Sequence, residues 1–281
     1  MILLIDIGNS RSKWALTNQT RGVKWLAAGQ WDNQEFDQRH WLAQFNALKE
    51  KVTQEYGAAI EAVAISCVAT DRVWVLLGDY SERVFAVTPY LAHSESSYQG
   101  LHGRTLVNSY KVAQALGVDR WLTMVAGIEL LPSAFAVIDA GTAITLDVVN
   151  SEGVHLGGHI IPGQQLMQST LLKDTGRIGW SAQHNLDAQS ASDWLAANTQ
   201  SAVELGALHT AVAYLEYSIA KLRSQFQLET IIITGGDASQ LMGLLSQQFR
   251  NHLKYEKDLV LQGLFYWLLS DLTKKTADKA D

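Results

Sequence analysis

Apolar and polar positions alternate in blocks that predict short strands and longer helices. The chain opens with an apolar run, Ile2 to Ile5, that stops at Asp6 and passes into Gly8, Asn9 and Ser10. A short apolar run closed by turn formers predicts a strand buried on both faces. Gly8 can supply the positive φ of a tight turn, and Asn9 tolerates it. Trp14 to Leu16 and Gly22 to Gly29 predict further strands, which places the acidic turn in a β-hairpin. Phe36 to Tyr56 carries apolar residues at helical spacing; Ala62 to Val68 predicts a strand, Val73 to Leu77 a helix or strand, and Val84 to Val87 a short strand. His93 to Thr105 reads as a mobile polar loop. Lys111 to Leu116 predicts a short helix with Gly117 as its C-cap, and Trp121 to Leu131 a strong helix.

The second half repeats the opening. Phe135 to Asp147 predicts another acidic hairpin, Gly158 to Ile161 a strand, and Gln165 to Lys173 a helix. A long helix is expected from Thr199 to about Phe226, a buried strand over Leu228 to Thr234, and helices over Leu241 to Phe249 and Leu259 to Leu269. Lys274 to Asp281 is charged and expected to fray. Ile5-Asp6-Ile7-Gly8-Asn9 and Ile138-Asp139-Ala140-Gly141-Thr142 share one pattern, and their aspartates lie about half the chain apart. Two such units predict a duplicated α/β domain with a cleft between the copies. A boundary near residue 118 follows, giving halves 1–118 and 119–281, each with a mixed sheet flanked by helices. A third small-residue turn, Thr234-Gly235-Gly236-Asp237, follows the apolar run Ile231 to Ile233. Its glycines would let a ring or ribose approach the backbone.

Composition narrows the function classes. The 281 residues suffice for one large or two medium domains. A net charge of −6 and a pI near 5.7 argue against a nucleic-acid or acidic-membrane surface, but not against ATP. Cys67 is the single cysteine, so no intramolecular disulfide or cysteine metal cluster can form; its apolar surroundings mark it as a core residue. No run approaches the ~18 apolar residues of a membrane span, and the N-terminus lacks a signal-like pattern, so a cytoplasmic protein is expected.

The candidate chemistry lies in the turns. A carboxylate at a strand end beside a small-residue turn can hold hydrated Mg²⁺ and phosphate, using turn N–H groups, the Ser10 hydroxyl and the Lys13 charge. The plainer reading is an ordinary hairpin that Asp6 merely ends. No GxxxxGK[ST] segment exists, which removes a P-loop. Asp119 and Arg120 follow Gly117 and Val118. Taken alone, Asp119 reads as a helix N-cap and Arg120 as a surface cation. His159 on an apolar strand reads as a hydrogen-bonded structural residue.

Taken in order, DIGNSRSK, Tyr110, LGVDRW, DAGTAITLD, GGHIIPG, TGGDA and DLVLQGL resemble the acetate kinase, sugar kinase, heat-shock ATPase and actin superfamily, and within it type III pantothenate kinase. These segments span residues 6 to 264. The resemblance implies two ribonuclease-H-like domains and transfer of phosphate from ATP to pantothenate, the first step of coenzyme A biosynthesis. It also implies Mg²⁺ through Asp6, with Ile7, Gly8, Asn9, Ser10, Arg11, Ser12 and Lys13 around the phosphates. Gly141 and Thr142 would contact phosphate, and Gly235 and Gly236 the adenosine side. Asp119 would be the general base, and Tyr110, Gly117, Val118, Arg120 and Thr175 would bind pantothenate. A monovalent cation, K⁺ or NH₄⁺, is implied at Asp139. So is a homodimer, for which the helix of Trp121, Leu122, Met124 and Val125 is a candidate face, a core role being the alternative. Thr175 departs from the family pattern in being followed by Gly176, and Lys111 to Ala113 lack the family's Pro. The rival readings are a kinase of another hydroxylated substrate and a non-catalytic ATP-binding regulator.

Overall fold

The computed structural model describes residues 1–19, 21–33, 38–68, 71–174 and 194–277. The strands are β1 (Ile2–Ile7), β2 (Arg11–Thr17), β3 (Ala27–Asp32), β4 (Ala62–Cys67), β5 (Tyr90–Leu91), β6 (Ser97–Gln99), β7 (Thr105–Val107), β8 (Phe135–Ala140), β9 (Ala143–Val149), β10 (His155–Pro162), β11 (Ile231–Thr234) and β12 (Leu253–Tyr255). The helices are α1 (Gln38–Tyr56), α2 (Asp71–Phe85), α3 (Val118–Leu130), α4 (Gln164–Asp174), α5 (Thr199–Phe226), α6 (Ala238–Leu244), α7 (Gln247–Arg250) and α8 (Leu259–Ala277).

Two five-stranded sheets run in the orders β3-β2-β1-β4-β5 and β10-β9-β8-β11-β12. These are the same order taken twice. β1 pairs antiparallel with β2 and parallel with β4; β8 pairs antiparallel with β9 and parallel with β11. The expected duplication is therefore present strand for strand. Central position explains the apolar runs. Leu3, Leu4, Ile5 and Ile7 of β1 and Phe135, Ala136 and Ile138 of β8 are fully buried.

By contact the chain forms two compact units: Met1–Ser133 with Ser151–His155 and Asp258–Asp281, and Ala134–Asn150 with Leu156–Lys257. A single cut near residue 118 does not reproduce this grouping, because α3 packs on α8 within the first unit. In that unit Leu3, Ile5 and Ile7 meet Trp41, Phe45 and Leu48 of α1 and Val73 and Leu77 of α2. α8 packs on β1, β2 and β4. In the second unit Leu208, Ala211, Leu215 and Ile219 of α5 cover β8, β9 and β11. Each fully buried leucine or isoleucine there contributes about 1.5–3 kcal/mol.

Several local expectations change. Trp121, Leu122, Met124 and Val125 are fully buried, so this helix face is core. Val84 to Val87 is no strand; Val84 and Phe85 belong to α2. His93 to Thr105 holds the β6–β7 hairpin, anchored by buried Tyr98, whose hydroxyl donates to Glu129 Oε1 at 2.7 Å. Lys111 to Leu116 shrinks to a 3-10 turn over Ala113–Ala115, and Gly117 begins α3 instead of ending a helix. Asn108 explains this: its amide donates to Ala113 O and Glu95 O, holding the segment out of an α-helix. Leu241 to Phe249 divides into α6 and α7 at Leu245 and Ser246, where Glu216 accepts from the Ser246 N–H and hydroxyl. Cys67 is buried as expected.

α3 and α8 meet at Gly263, where an added Cβ would stand 1.9 Å from Leu122 O and 2.6 Å from its carbonyl carbon. Backbone atoms of a helix cannot yield to it. Gly263→Ala is expected to destabilise the protein by about 3 kcal/mol. Urea unfolding measures this, and an unchanged midpoint would contradict the packing described.

Candidate active site

In the first unit β1 runs out of the core at Asp6, which is half-buried between two fully buried isoleucines. Its register partners are Lys13 on β2 and Ser66 on β4. The Gly8 N–H donates to Arg11 O at 3.1 Å and closes the turn, leaving Asn9, Ser10 and Arg11 exposed. Neither Gly8 nor Asn9 takes positive φ. Space, not conformation, sets Gly8: an added Cβ would lie 3.0 Å from Arg11 O. Ile7 is buried and offers only backbone. Arg11 Nε lies 3.6 Å from Asp32 in an exposed pair. Ser12 is fully buried and its hydroxyl donates to Asn33 Oδ1 at 2.7 Å.

Lys13 Nζ lies 3.4 Å from the Asp258 carboxylate, which is 11% exposed. Asp258 takes φ 55° and its carbonyl accepts from Gln262 N, starting α8. The first acidic turn is thus tied to the C-terminal helix through a charge pair.

The Gly117–Arg120 segment opens α3 in the same unit. Gly117 is the N-cap, so Asp119 is not; its Oδ1 accepts instead from the Arg120 N–H at 2.8 Å. Asp119 folds back over Gly117, where an added Cβ would stand 2.6 Å from that oxygen. Val118 is buried. Arg120 is no surface cation. It is 5% exposed, and its Nη1 donates to the Tyr110 hydroxyl at 3.0 Å with the guanidinium 5.8 Å from the Tyr110 ring centre. The Tyr110 ring also stacks on His155 at 5.9 Å, and His155 Nδ1 lies 3.3 Å from Ser109 Oγ. A carboxylate, a buried guanidinium and a phenol therefore share one helix start.

In the second unit Asp139 occupies the place in β8 that Asp6 has in β1. Its partners are Thr145 on β9 and Thr234 on β11. The Gly141 N–H donates to Ala143 O at 3.0 Å, and the Gly163 N–H to Thr142 O at 2.9 Å; Thr142 is exposed. Gly235 has φ 104°, and an added Cβ would stand 2.2 Å from Ala140 O and 2.5 Å from Asp139 Oδ1. The Asp237 N–H donates to Ala140 O at 2.9 Å. The third turn therefore lies against the second acidic turn, as close backbone approach requires. Gly236 is exposed with open space around it.

Among the described residues, no three His, Cys, Asp or Glu side chains converge to hold a metal ion. A single strand-end carboxylate does fit Mg²⁺, which keeps several waters and shares substrate phosphate oxygens. Beside Asp6, the Ser66 hydroxyl is fully buried and finds no hydrogen-bond partner among the described residues, which leaves it open to a water or an ion. Around Asp139, one carboxylate and the two threonine hydroxyls in register supply oxygen donors that fit a weakly charged cation.

The sequence-predicted residues thus gather in two groups, one per unit. Thr175 lies outside the described residues. His159 is structural, its Nδ1 lying 3.2 Å from the Tyr214 hydroxyl. Asp258 is legible only as the first residue of DLVLQGL, and His155, Ser66 and Asn33 belong to no motif. Asp258 looks like an ordinary residue before an apolar helix, and the others touch the site only through distant strands.

A family model described as type III pantothenate kinase matches residues 2–221. The type III pantothenate kinase of Nitrosococcus oceani is 32% identical over 272 residues, covering 94% of this chain and 92% of the relative. That of Marinobacter nauticus is 33% identical over 244 residues, covering 87% and 90%. Among solved structures, the ethanolamine utilization protein EutJ of Carboxydothermus hydrogenoformans aligns with a TM-score of 0.53 at 13% identity, covering 95% of this chain and 89% of that one. The ROK hexokinase of Thermus thermophilus aligns at 0.50 and 11%, covering 97% and 99%. These two likenesses concern the fold alone, and they agree with the doubled sheet order of an actin and sugar-kinase architecture. With the strand-end carboxylates and the Gly117–Arg120 segment in place, the chain belongs to the type III pantothenate kinase family.

Proposed function

We infer that this chain is an ATP-dependent pantothenate kinase that forms 4′-phosphopantothenate in coenzyme A biosynthesis. The observation that carries the reading is the α3 start, where Asp119 is held over Gly117 and buried Arg120 is bonded to Tyr110. Pantothenate has a carboxylate at one end and a primary hydroxyl at the other. Arg120 suits the carboxylate, because a guanidinium can donate two parallel hydrogen bonds to it. Tyr110 orients that guanidinium and offers a second polar contact. Asp119 accepts the hydroxyl proton as the oxygen attacks the γ-phosphorus and ADP departs. Gly117 and Val118 shape the floor of this pocket, and Thr175 belongs to it by family pattern.

The exposed turn Asn9–Arg11, with Lys13, holds the β- and γ-phosphates. Gly141 and Thr142 contact phosphate through the second turn, and Gly235 and Gly236 take the adenosine side. Asp6 would hold Mg²⁺, which would supply charge neutralisation on the phosphate oxygens. Asp139 would hold a monovalent cation, K⁺ or NH₄⁺, and Thr145 and Thr234 are its register partners. A homodimer fits the large apolar side chains left exposed on β10 and α4, Leu156, Ile160 and Leu166. No helix among the described residues is long and apolar enough to cross a membrane, and a cytoplasmic location suits the reaction.

Coupled ADP release with Mg-ATP and pantothenate tests these roles. Asp119→Asn is expected to keep both substrate affinities and lose at least ~100-fold in kcat, the usual scale of general-base catalysis. Unchanged turnover would remove Asp119 from that role. Release by the wild type is expected in K⁺ buffer and to fall sharply in Na⁺ buffer. Asp139→Ala is expected to abolish either the activity or this cation dependence, whereas a fully active, K⁺-stimulated variant would refute the cation role.

A further inference from the structure

The two acidic turns are copies, yet they are closed differently. The register Ile7↔Ser12 leaves one more residue in the first turn than Ala140↔Ile144 leaves in the second. In both copies the residue just after the third strand of the hairpin grips the turn. After β10 it is Gly163, whose N–H donates to Thr142 O at 2.9 Å. After β3 it is Asn33, whose N–H donates to Ser10 O at 3.0 Å. No side chain is possible at Gly163, where an added Cβ would stand 2.1 Å from Gly141 O and 2.7 Å from Thr142 O. The longer first turn leaves room, and Asn33 fills it with an amide. Its Nδ2 donates to Gly8 O at 2.6 Å, and its Oδ1 accepts from buried Ser12 Oγ at 2.7 Å.

We propose that Asn33 is a positioning residue that presents the first turn to the nucleotide phosphates, a role resting on the phosphate reading of that turn. The geometry follows from peptide planarity. In a trans peptide the N–H points opposite to the C=O of the same unit. Asn33 binds the carbonyls of Gly8 and Ser10, which belong to the peptides of Asn9 and Arg11. The Asn9 and Arg11 N–H groups are thereby aimed away from Asn33, toward the exposed side of the turn. Successive N–H groups facing one way form an anion-binding concavity. Carbonyls left unheld could rotate their negative ends toward the phosphates. Ser12 acts through Asn33, since its buried hydroxyl is committed to the amide oxygen.

The test is calorimetric binding of a non-hydrolysable Mg-ATP analogue to the full chain. Asn33→Ala removes both side-chain hydrogen bonds and is expected to weaken binding about tenfold. Asn33→Asp keeps an acceptor for Ser12 but sets a carboxylate oxygen against Gly8 O, and is expected to weaken binding at least as much. In turnover, KM for ATP is expected to rise while KM for pantothenate stays unchanged, a split that general loss of folding would not give. Lys13→Met serves as the reference. If it weakens binding while both Asn33 variants bind like wild type, the proposal is wrong and the phosphate reading stands. If Lys13→Met also binds like wild type, the phosphate reading of the turn falls, and this role falls with it. Hydrogen exchange on the unaltered protein gives a measure independent of variant folding. The Asn9 and Arg11 amides are expected to exchange fast without nucleotide and to gain protection with it, and no gain would overturn the proposal.

Discussion

A strand buried on both faces must end somewhere, and its last polar residue can sit only where the sheet runs out of core. β1 and β8 are such strands, and each carries, one residue from its end, an aspartate that is half-buried while its neighbours are fully buried. The carboxylate is costly inside and useful at the edge, where a tight hairpin turn brings backbone N–H groups beside it. The rest of each unit serves this placement. Helices on the sheet faces bury the strand, the antiparallel partner returns the chain past the carboxylate, and the parallel partner sets a hydroxyl next to it, Ser66 in one unit and Thr234 in the other.

Duplication supplies two such ends, and they differ. The first turn is longer, carries Lys13 and is held by the Asn33 side chain; Lys13 is in turn paired with Asp258 at the start of α8. The second is shorter, is closed by Gly163 and is backed by the third turn at Gly235. A cation from the protein stands beside the first carboxylate. Beside the second the register partners are hydroxyls, which suits an ion taken from solution. The segment proposed to bind the acceptor is an addition to this plan: α3 starts at a glycine over which Asp119 folds, and its arginine is buried against a tyrosine that stacks on a histidine.

Much of this was legible in the sequence because strand ends write strong signals. An apolar run stopped by Asp and Gly, met twice, gave both central strands, the hairpins and the repeated sheet. The long helix at Thr199–Phe226 was readable from its period. What failed to read was set by particular contacts, some local and some far along the chain. Asn108 turned an expected helix into a 3-10 turn by binding Ala113 O, and Gly117 changed from helix end to helix start. The apolar face of α3 could have been surface or core; α8, more than a hundred residues later, makes it core. Gly8 looked like a φ-driven choice but is fixed by the Arg11 carbonyl. Asn33 carries no pattern at all, since its meaning lies in Gly8, Ser10 and Ser12, the turn and strand start that it touches.

The most direct test of the account is the identity of the product. Purified protein would be incubated with Mg-ATP and pantothenate in K⁺ buffer and the products identified by ³¹P NMR and mass spectrometry. Formation of 4′-phosphopantothenate in step with ADP is the expected result. ATP bound with pantothenate left unmodified, or phosphate transferred only to a different hydroxylated acceptor, would contradict it.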